Sequence, residues 1–429
     1  LKPFRLERLN DEGVPHVDRP HLINPRPRMS QSQPTDIFLL VNPKSGGNKG
    51  EVFLEVPQPF IVSLENGTQV NLRIYSILDG ESGNKPGLHA LRQSIAAWRA
   101  PVRLIVGGGD GTVMFADSEC EKHGIDTRTQ VMLGIVPLGT GNDFSRSYGW
   151  GGRNPKRSIL NDDCKKLREM VRKWAAAGAC EHDVWEVSIS VRYDGDFYKV
   201  NSEREEEAQP YKTLTAPMVN YFSIGQESRL GINFDKMRTQ SQIGNYLAYA
   251  VSGVKTWLSC GQKWTHIGSI VGSLHDGCDA AAPVIFNQDR DDSIPNLVGN
   301  PESLMFLNIN SYGGGLADFW SAGGAAGVEP GPDEEELDVE QDPGDGNLEV
   351  VTLPSLADLP LERVVHSAKR LHSGGPYYIK FEDDDDTPEE LECWLEIDGE
   401  YYHLVNPAWA TVKLKKRLSV LRSADSDPS

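Results

Sequence analysis

The chain has 429 residues, 38% of them hydrophobic and 8% aromatic, so it can bury a sizeable core and is not a disordered chain. This length allows two or three domains. The formal net charge of −19 argues against a general nucleic-acid-binding protein, which needs a basic surface, so we expect no nucleic-acid partner.

Cysteine usage and hydropathy indicate the compartment. The six cysteines are scattered, with no Cys-x-x-Cys pair and no zinc-type spacing with the histidines, so we expect free thiols in a reducing compartment. The N-terminus lacks the apolar core of a signal peptide, and no apolar run reaches the roughly 20 residues that span a bilayer. These features predict a cytoplasmic protein.

The first predicted strand leads into a turn that carries a lysine. Residues 1–35 are proline-rich and predict a tail, and the apolar run Asp36–Val41 predicts a buried strand. The following Asn42-Pro43-Lys44-Ser45-Gly46-Gly47 predicts a phosphate-binding loop, with Asn42 and Lys44 near a nucleotide. Taken alone, such a turn is more often only a connection.

A glycine turn follows the next buried strand. A strand at 71–78 and an amphipathic helix at 87–99 precede the apolar run Val102–Val106, which enters Gly107-Gly108-Gly109-Asp110-Gly111-Thr112. Glycine backbone N–H groups can lie directly against phosphate oxygens. Asp110 could hold a magnesium ion or accept a proton from an attacking hydroxyl. A helix at 112–120 would point its N-terminus at the same place, which favours anions.

A second glycine turn ends the strand Val131–Val136. It reads Pro137-Leu138-Gly139-Thr140-Gly141-Asn142-Asp143-Phe144, and its polar side chains could bond phosphate or ribose, or could only form the turn and cap a helix. Two such strands in an open α/β sheet place both turns at one edge, where ligands bind. The predicted nucleotide contacts are Asn42, Lys44, Gly108, Gly109, Asp110, Gly111, Thr112, Gly139, Thr140, Gly141, Asn142 and Asp143.

The sequence pattern of the second half predicts mostly antiparallel β structure. A basic helix at 165–177 with a solvated face separates the halves, and an aromatic helix is predicted at 244–258. The acidic stretch 328–342 predicts a flexible insertion, and Asp398-Gly399 predicts a tight hairpin. The predicted strands are 184–191, 304–310, 377–381, 394–397, 400–404 and 411–421, with a hairpin and loop at 192–210 and a turn and strand at 344–351.

These motifs together resemble the eukaryotic-type diacylglycerol kinases. The resemblance spans residues 36–421 and rests on the two glycine turns, the lysine-bearing turn and several segments of the second half. The Gly-Gly-Asp-Gly-Thr segment alone is also similar to NAD kinases and sphingosine-type kinases. The second-half segments are Asn220–Gly225, Leu307–Gly315, Asp345-Gly346 with Leu348-Glu349, and Ile397–Glu400.

The resemblance implies a fold and a reaction. The fold is an α/β N-terminal domain at 36–183 (Rossmann-like, of NAD-kinase/diacylglycerol-kinase type), then a mostly antiparallel β-sandwich domain at 184–421, an active site in the interdomain cleft and a tail at 422–429. The reaction transfers the γ-phosphoryl group of ATP, with Mg²⁺, to membrane-borne diacylglycerol, giving phosphatidic acid for lipid signalling. Asp345 would be the general base and Asp110 would hold magnesium, or the two roles would be reversed.

Alternatives remain open at this point. The acceptor could be ceramide or a sphingoid base, the chain could be an NAD kinase, or it could be a non-catalytic scaffold that binds lipid or nucleotide. Glu227 stands where the family more often has aspartate. The family implies peripheral membrane association, whereas the acidic net charge opposes anionic lipid surfaces. The oligomeric state does not follow from the sequence.

Overall fold

The structure is a computed structural model of the chain. It describes residues 35–98, 101–201, 205–236, 265–287, 295–323, 325–327, 339–355, 366–382 and 390–424. The predicted helix at 244–258, Cys260, residues 1–34 of the predicted tail and 328–338 of the acidic segment lie outside these ranges. Five cysteines that the structure describes are free thiols: Cys120, Cys164, Cys180, Cys278 and Cys393.

A parallel sheet forms the first half. The buried apolar runs predicted as strands are confirmed, and all four pair in parallel in the order β3-β1-β4-β5, with β2 antiparallel at the edge. β-Branched and leucine side chains in these runs suit strands that are covered on both faces. The strands are β1 (Thr35–Val41), β2 (Phe60–Ser63), β3 (Gln69–Ser76), β4 (Val102–Gly108) and β5 (Val131–Pro137).

Helices pack on the faces of this sheet. The predicted amphipathic helix is confirmed, and its Leu88 and Leu91 are buried against the sheet. The helix predicted to start at Thr112 instead starts at Asp110, because Gly109 has an extended backbone and takes the N-cap position. The helices are α1 (Ser45–Asn48), α2 (Glu51–Leu54), α3 (Pro86–Trp98), α4 (Asp110–Lys122), α5 (Asp143–Ser147) and α6 (Asn161–Ala176), with a 3₁₀ turn at Arg157–Leu160.

The strand order fixes where a ligand can bind. From β1 the chain moves to β2 and β3 on one side of the sheet, then crosses by α3 to β4 on the other side. The carboxyl ends of β1, β4 and β5 are therefore neighbours at a topological switch point, which is the usual ligand crevice of open α/β sheets. The lysine-bearing turn and both glycine turns follow these three ends.

The second half is mostly antiparallel, as predicted. The strands are β6 (Gly178–Val200), β7 (Glu206–Gln209), β8 (Thr213–Met218), β9 (Tyr221–Gly225), β10 (Val271–Asp276), β11 (Val284–Asn287), β12 (Ser303–Leu307), β13 (Ala325–Ala326), β14 (Leu348–Leu353), β15 (Lys369–Gly374), β16 (Tyr377–Phe381), β17 (Glu392–Ile397) and β18 (Glu400–Arg422). Its helical segments are α7 (Gln226–Lys236), α8 (Phe319–Ala322) and a 3₁₀ turn at Ile267–Ser269.

Two long strands correct the sequence prediction. The predicted strands at 400–404 and 411–421 are one strand, β18, and the predicted strand at 184–191 is the middle of β6, which continues through residues placed in a loop. β6 and β18 pair with each other over almost their full lengths. Register shifts around Pro407 absorb a residue that cannot donate to the ladder, so the strand bends there without ending.

β18 also joins the two halves. Its Val420 pairs in parallel with Leu133 of β5, while its earlier residues pair with β16, β17 and β6. A large apolar cluster of the second half packs side chains of β6, β9, β12, β16 and β17 together. No helix in the described part of the chain is both long and apolar enough to cross a bilayer.

Candidate active site

The two glycine turns are in direct contact. A Cβ added to Gly139 would lie 2.7 Å from the Cα of Gly109, and one added to Gly109 would lie 3.2 Å from the Cα of Gly139. The backbone N–H of Leu138 donates to the carbonyl of Gly108 across 2.9 Å. A side chain at Gly139 would therefore clash with the Gly109 backbone, while one at Gly109 would force the Gly139 backbone to move by a few tenths of an ångström.

The lysine-bearing turn packs beside them. The backbone N–H of Asn42 donates to the carbonyl of Gly107, and the Asn42 side chain accepts the backbone N–H of Lys44 across 3.1 Å. Gly46 has a positive φ of 63°, and a Cβ there would lie 2.5 Å from the carbonyl oxygen of Leu138. The structure thus brings Asn42 and an exposed Lys44 to the same edge as both glycine turns.

Asn142 shapes the second glycine turn from within. It has a left-handed backbone, and its buried side-chain amide accepts from the backbone N–H of Gly139 and donates to the carbonyls of Gly139 and Gly152. Its predicted contact with a nucleotide stays a prediction, but the amide is committed to the loop. Thr140 of the same turn is exposed.

Asp143 ties the second glycine turn to the second half of the chain. Its buried carboxylate accepts the Ser311 hydroxyl across 2.6 Å and the backbone N–H groups of Gly314 and Gly315. Burial raises the pKa of Asp143, while these hydrogen bonds oppose the rise. The carboxylate predicted to face a nucleotide is thus held by the segment Ser311–Gly315, where the positive φ of Gly314 and Gly315 turns their N–H groups inward.

Asp110 lies where the glycine turns meet the second half. Its Oδ2 accepts the backbone N–H of Asp143 and the side-chain amide of Asn220, both across 3.1 Å. Its Oδ1 is buried without a hydrogen-bond partner. Burial, and then the charges of Asp143 and Asp398, raise the pKa of Asp110 to about 7. A buried carboxylate with a vacant acceptor is the feature expected of a group that meets a cation or a proton donor.

Asn220 and Asp398, whose segments carry the family resemblance, form the side of the site that belongs to the second half of the chain. Asp398 accepts the backbone N–H groups of Val219, Asn220 and Tyr221 across 2.7 to 3.1 Å, which fixes the position of the Asn220 amide. Burial raises the pKa of Asp398 to about 6. The Asp398-Gly399 pair gave only a hairpin signal, because nothing in a turn pattern shows which backbone a carboxylate will bind.

The orphaned oxygens suit a magnesium ion. The described residues contain no group of three or more His, Cys, Asp or Glu arranged to hold a metal. Magnesium bound with a nucleotide needs only one or two protein carboxylates, since phosphates and waters fill the other positions. Oδ1 of Asp110 and Oδ1 of Asn220 are both buried and unpartnered, so the residues present fit such an ion.

Asp345 lies at the same edge of the antiparallel strands but in its own turn. Leu307 of β12 pairs with both Tyr221 of β9 and Glu349 of β14, so the residues before β9 and before β14 are two strand spacings apart, roughly 10 Å. Asp345 is exposed, and its carboxylate accepts the backbone and side-chain N–H groups of Asn347. Within the part of the chain that the structure describes, no hydrogen bond joins Asp345 to Asp110.

Glu349 is a further carboxyl group near Asp345, and the sequence motifs assign it no role. It is fully buried at the start of β14, where its Oε1 accepts the Ser373 hydroxyl across 3.3 Å and its Oε2 has no partner. Burial, and then the charge of Asp345, raise the pKa of Glu349 to about 8. Its place four residues after Asp345 is visible in the sequence, but its burial is not.

Two family models match the chain. Residues 36–170 match the diacylglycerol kinase catalytic domain, and residues 217–401 match the diacylglycerol kinase accessory domain. Every residue of the glycine turns falls in the first match. Asn220, Ser311, Asp345, Glu349 and Asp398 fall in the second.

Curated relatives agree with these matches. The chain is 28% identical over 297 residues to the eye-specific diacylglycerol kinase of Drosophila melanogaster, 25% over 347 residues to diacylglycerol kinase 3 of Arabidopsis thaliana, and 27% over 349 residues to diacylglycerol kinase zeta of Homo sapiens. These alignments cover 68%, 72% and 80% of this chain, but only 17%, 66% and 32% of the relatives. A solved diacylglycerol kinase from Bacillus anthracis aligns over 92% of this chain and 98% of its own, with 14% identity and a TM-score of 0.42.

Proposed function

Because the chain belongs to the diacylglycerol kinase family, we propose that it transfers the γ-phosphoryl group of ATP to the free hydroxyl of diacylglycerol, giving phosphatidic acid. We place the ATP-binding domain at 36–183 and the accessory domain at 184–421, with the reaction in the cleft between them. The chain spans 66% or less of the three relatives compared, so this activity is proposed for the segment present.

The contact between Asp110 and Asn220 carries the proposal. It joins the carboxylate of a glycine turn to a side chain of the second half, at a point where both residues keep a buried oxygen free. Phosphoryl transfer depends on positioning and on neutralising charge, so a kinase needs its phosphate-binding turns and its acceptor-binding half to meet. A carboxylate fixed from both sides fulfils that requirement.

The three turns receive the nucleotide phosphates in this proposal. Backbone N–H groups around Gly109 and Gly141 face the phosphates, Lys44 contributes a positive charge, and the N-terminus of α4 favours the anion. Gly111 and Thr112 lie in the first turn of that helix, and a Cβ on Gly111 would meet open space. Magnesium, when bound, would be held by Asp110 with Asn220 beside it and would neutralise phosphate charge.

The general base is assigned among three carboxyl groups. Asp345 is exposed and can meet an acceptor hydroxyl, although its oxygens also bond Asn347. Glu349 is buried with a vacant oxygen and a pKa near 8, which suits a proton acceptor that works at neutral to alkaline pH. We keep Asp345 as the base, with Asp110 and Glu349 as the groups to be tested against it.

The acceptor is proposed to lie in a membrane. Diacylglycerol is water-insoluble, so the kinase would act as a peripheral protein at the cytoplasmic face of a membrane. The second half would supply the lipid-facing surface, since the first half supplies the phosphate turns.

Labelled phosphate transfer tests the proposal. The full chain is incubated with ATP, Mg²⁺ and mixed micelles carrying diacylglycerol, ceramide or sphingosine. We expect transfer to diacylglycerol, reduced at least ~10²-fold in Asp110→Ala, the scale of a lost preorganised charge. Glu65→Ala, at an exposed acidic residue in the turn between β2 and β3, is the matched control and should keep full activity. Transfer only to ceramide or sphingosine would replace the acceptor, and no transfer to any lipid would leave a binding scaffold.

A further inference from the structure

A cavity lies beside the end of β5, next to the second glycine turn that follows this strand. It has a volume of about 420 Å³, is open to solvent on one side, and is lined by the end of β5, the segment 149–159 and one face of α6. This volume is within the roughly 300–1,000 Å³ of small-molecule sites. Asp110, Asn142 and Asp143 do not line it. Its lining therefore differs from that of the candidate active site, although Pro137 of the second glycine turn belongs to it, and binding in this cavity can be tested without kinase activity.

The floor of the cavity is apolar and aromatic. Trp150, Trp174, Ile135 and Met170 contribute to it, and Trp174 is almost fully buried. The indole N–H of Trp150 donates to the carbonyl of Leu421 across 2.7 Å, which fixes the ring. Such a floor can contact the apolar or planar part of a ligand.

The rim is cationic. Arg153, Lys156, Lys166 and Lys173 line the cavity, against Glu169 as the acidic residue. This surplus occurs in a chain whose net charge is −19. Clustered like charges repel each other, so an anion bound among them would be favoured.

Several of these cations are not used by the fold. Within the described residues, Arg153, Lys156 and Lys166 make no ion pair, and the Lys166 ammonium donates only to the neutral Ser158 hydroxyl across 3.3 Å. The neighbouring Arg157 points elsewhere and pairs with Glu55 across 2.7 Å. Three unpaired cations above an aromatic floor are the pattern of a site for an anion with an apolar body.

We propose that this cavity is a second ligand site. It binds the phosphate group of a phosphate ester through Arg153, Lys156 and Lys166, and the remainder of the ligand packs against Trp150. Guanidinium and ammonium groups form charge-assisted hydrogen bonds with phosphate oxygens. The phosphate can belong to a phospholipid headgroup or to a soluble ester. Lys166 of α6, which the sequence predicts to lie on a solvated face, thus contacts a ligand in this proposal.

Fluorine NMR of the full chain labelled with 5-fluorotryptophan tests this proposal without ATP or magnesium. The chain has nine tryptophans, and Trp150→Phe assigns the resonance of Trp150. The probes are dihexanoyl phosphatidic acid, glycerol 3-phosphate and inorganic phosphate. We expect a saturable shift of the Trp150 resonance. A shift with phosphatidic acid alone assigns the site to a lipid, and an equal shift with the soluble phosphates assigns it to a free ester.

Matched charge variants locate the binding. R153Q/K156Q/K166Q should weaken the binding at least ~10-fold, since three charge-assisted contacts are lost. K165Q/K380Q/K413Q removes the same charge from exposed residues outside the cavity and should bind like the parent. R153K/K156R/K166R keeps the charge and should retain binding, which separates charge from loss of fold. No saturable shift of Trp150 with any probe, or equal weakening in both glutamine triples, overturns the proposal.

Discussion

The side-chain amide of Asn220 donates to Oδ2 of Asp110 across 3.1 Å, and this hydrogen bond joins the two halves of the chain at the candidate active site. Asp398 holds the Asn220 backbone from the opposite side. The contact makes the protonation state of Asp110 depend on a residue 110 positions away in sequence.

Removing this donor should shift the pH dependence of turnover. Asn220→Ala deletes a hydrogen bond that favours the ionised form of Asp110, so the pKa of Asp110, already raised to about 7, should rise further. The measurement is kcat/KM as a function of pH, and we expect its ascending limb to move to higher pH in the variant. Asn220→Gln keeps the donor and is the control. Superimposable profiles for the parent and Asn220→Ala would contradict the role given to Asn220.

Replacing Asp110 should cost activity and add stability at high pH. A raised folded-state pKa means that the folded state binds more protons than the unfolded state between pH 3.8 and about 7. The free energy of unfolding therefore falls as pH rises through that window. Asp110→Asn has no carboxyl group to ionise, so it does not lose this stability as the pH rises. The Tm of the variant minus the Tm of the parent should therefore be larger at pH 8 than at pH 4. Thermal unfolding at the two pH values checks it, and equal differences would refute it.

Two alanine substitutions in the glycine turns should separate fold from nucleotide binding. Gly139→Ala places a Cβ against the Gly109 backbone and should lower both the free energy of unfolding and the affinity for ATP. Gly111→Ala meets open space within a helix and should stabilise it by roughly 0.5–1 kcal/mol while the methyl group obstructs the phosphates. Urea unfolding and ATP titration measure the two effects. Unchanged ATP affinity in Gly111→Ala would remove that residue from the site.

The hydrogen bonds that Asp143 accepts from Ser311, Gly314 and Gly315 should contribute to the free energy of unfolding. Asp143→Asn replaces one carboxylate oxygen with an amide NH2 group, which cannot accept the backbone N–H of Gly314, so we expect a loss of about 1–3 kcal/mol in the free energy of unfolding. Ser311→Ala removes one donor and should cost less, about 0.5–1.5 kcal/mol. Denaturant titration of both variants checks the order, and a larger loss in Ser311→Ala would contradict it.

The base can be identified by combining substitution with pH. If Asp345 is the base, Asp345→Asn should abolish transfer but spare ATP binding, while Glu349→Gln remains active. If Glu349 is the base, Glu349→Gln should abolish transfer, and the parent profile should rise until the pKa of Glu349, near 8, is passed. Unchanged turnover in Asp345→Asn removes it from the role.

Much of the phosphate-binding edge was predictable because its signals are local. Buried apolar runs followed by glycine turns predicted β1, β4 and β5, and parallel order then placed their ends together. Close approach of Gly109 and Gly139 follows from the same logic.

The rest depended on contacts that no local pattern encodes. Asp143 was assigned to a nucleotide because it ends a glycine turn, yet its carboxylate binds a segment 168 to 172 positions later. The predicted strand at 304–310 stops at Leu307, since Asn308 turns inward and its amide bonds Trp185, Asp183 and Val219. Polar residues that serve distant backbones look like ordinary turn residues in a sequence.

The pairing of β18 with β5 has a consequence for the order in which the molecule is completed. Leu418, Val420 and Leu421 fill apolar clusters of the first half, and the indole of Trp150 bonds a carbonyl 271 positions further on. During synthesis the edge of the first-half sheet at β5 therefore stays unpaired until β18 has been made. A fragment that ends at residue 183 would leave the apolar edge of β5 unpaired, and we expect such a fragment to aggregate.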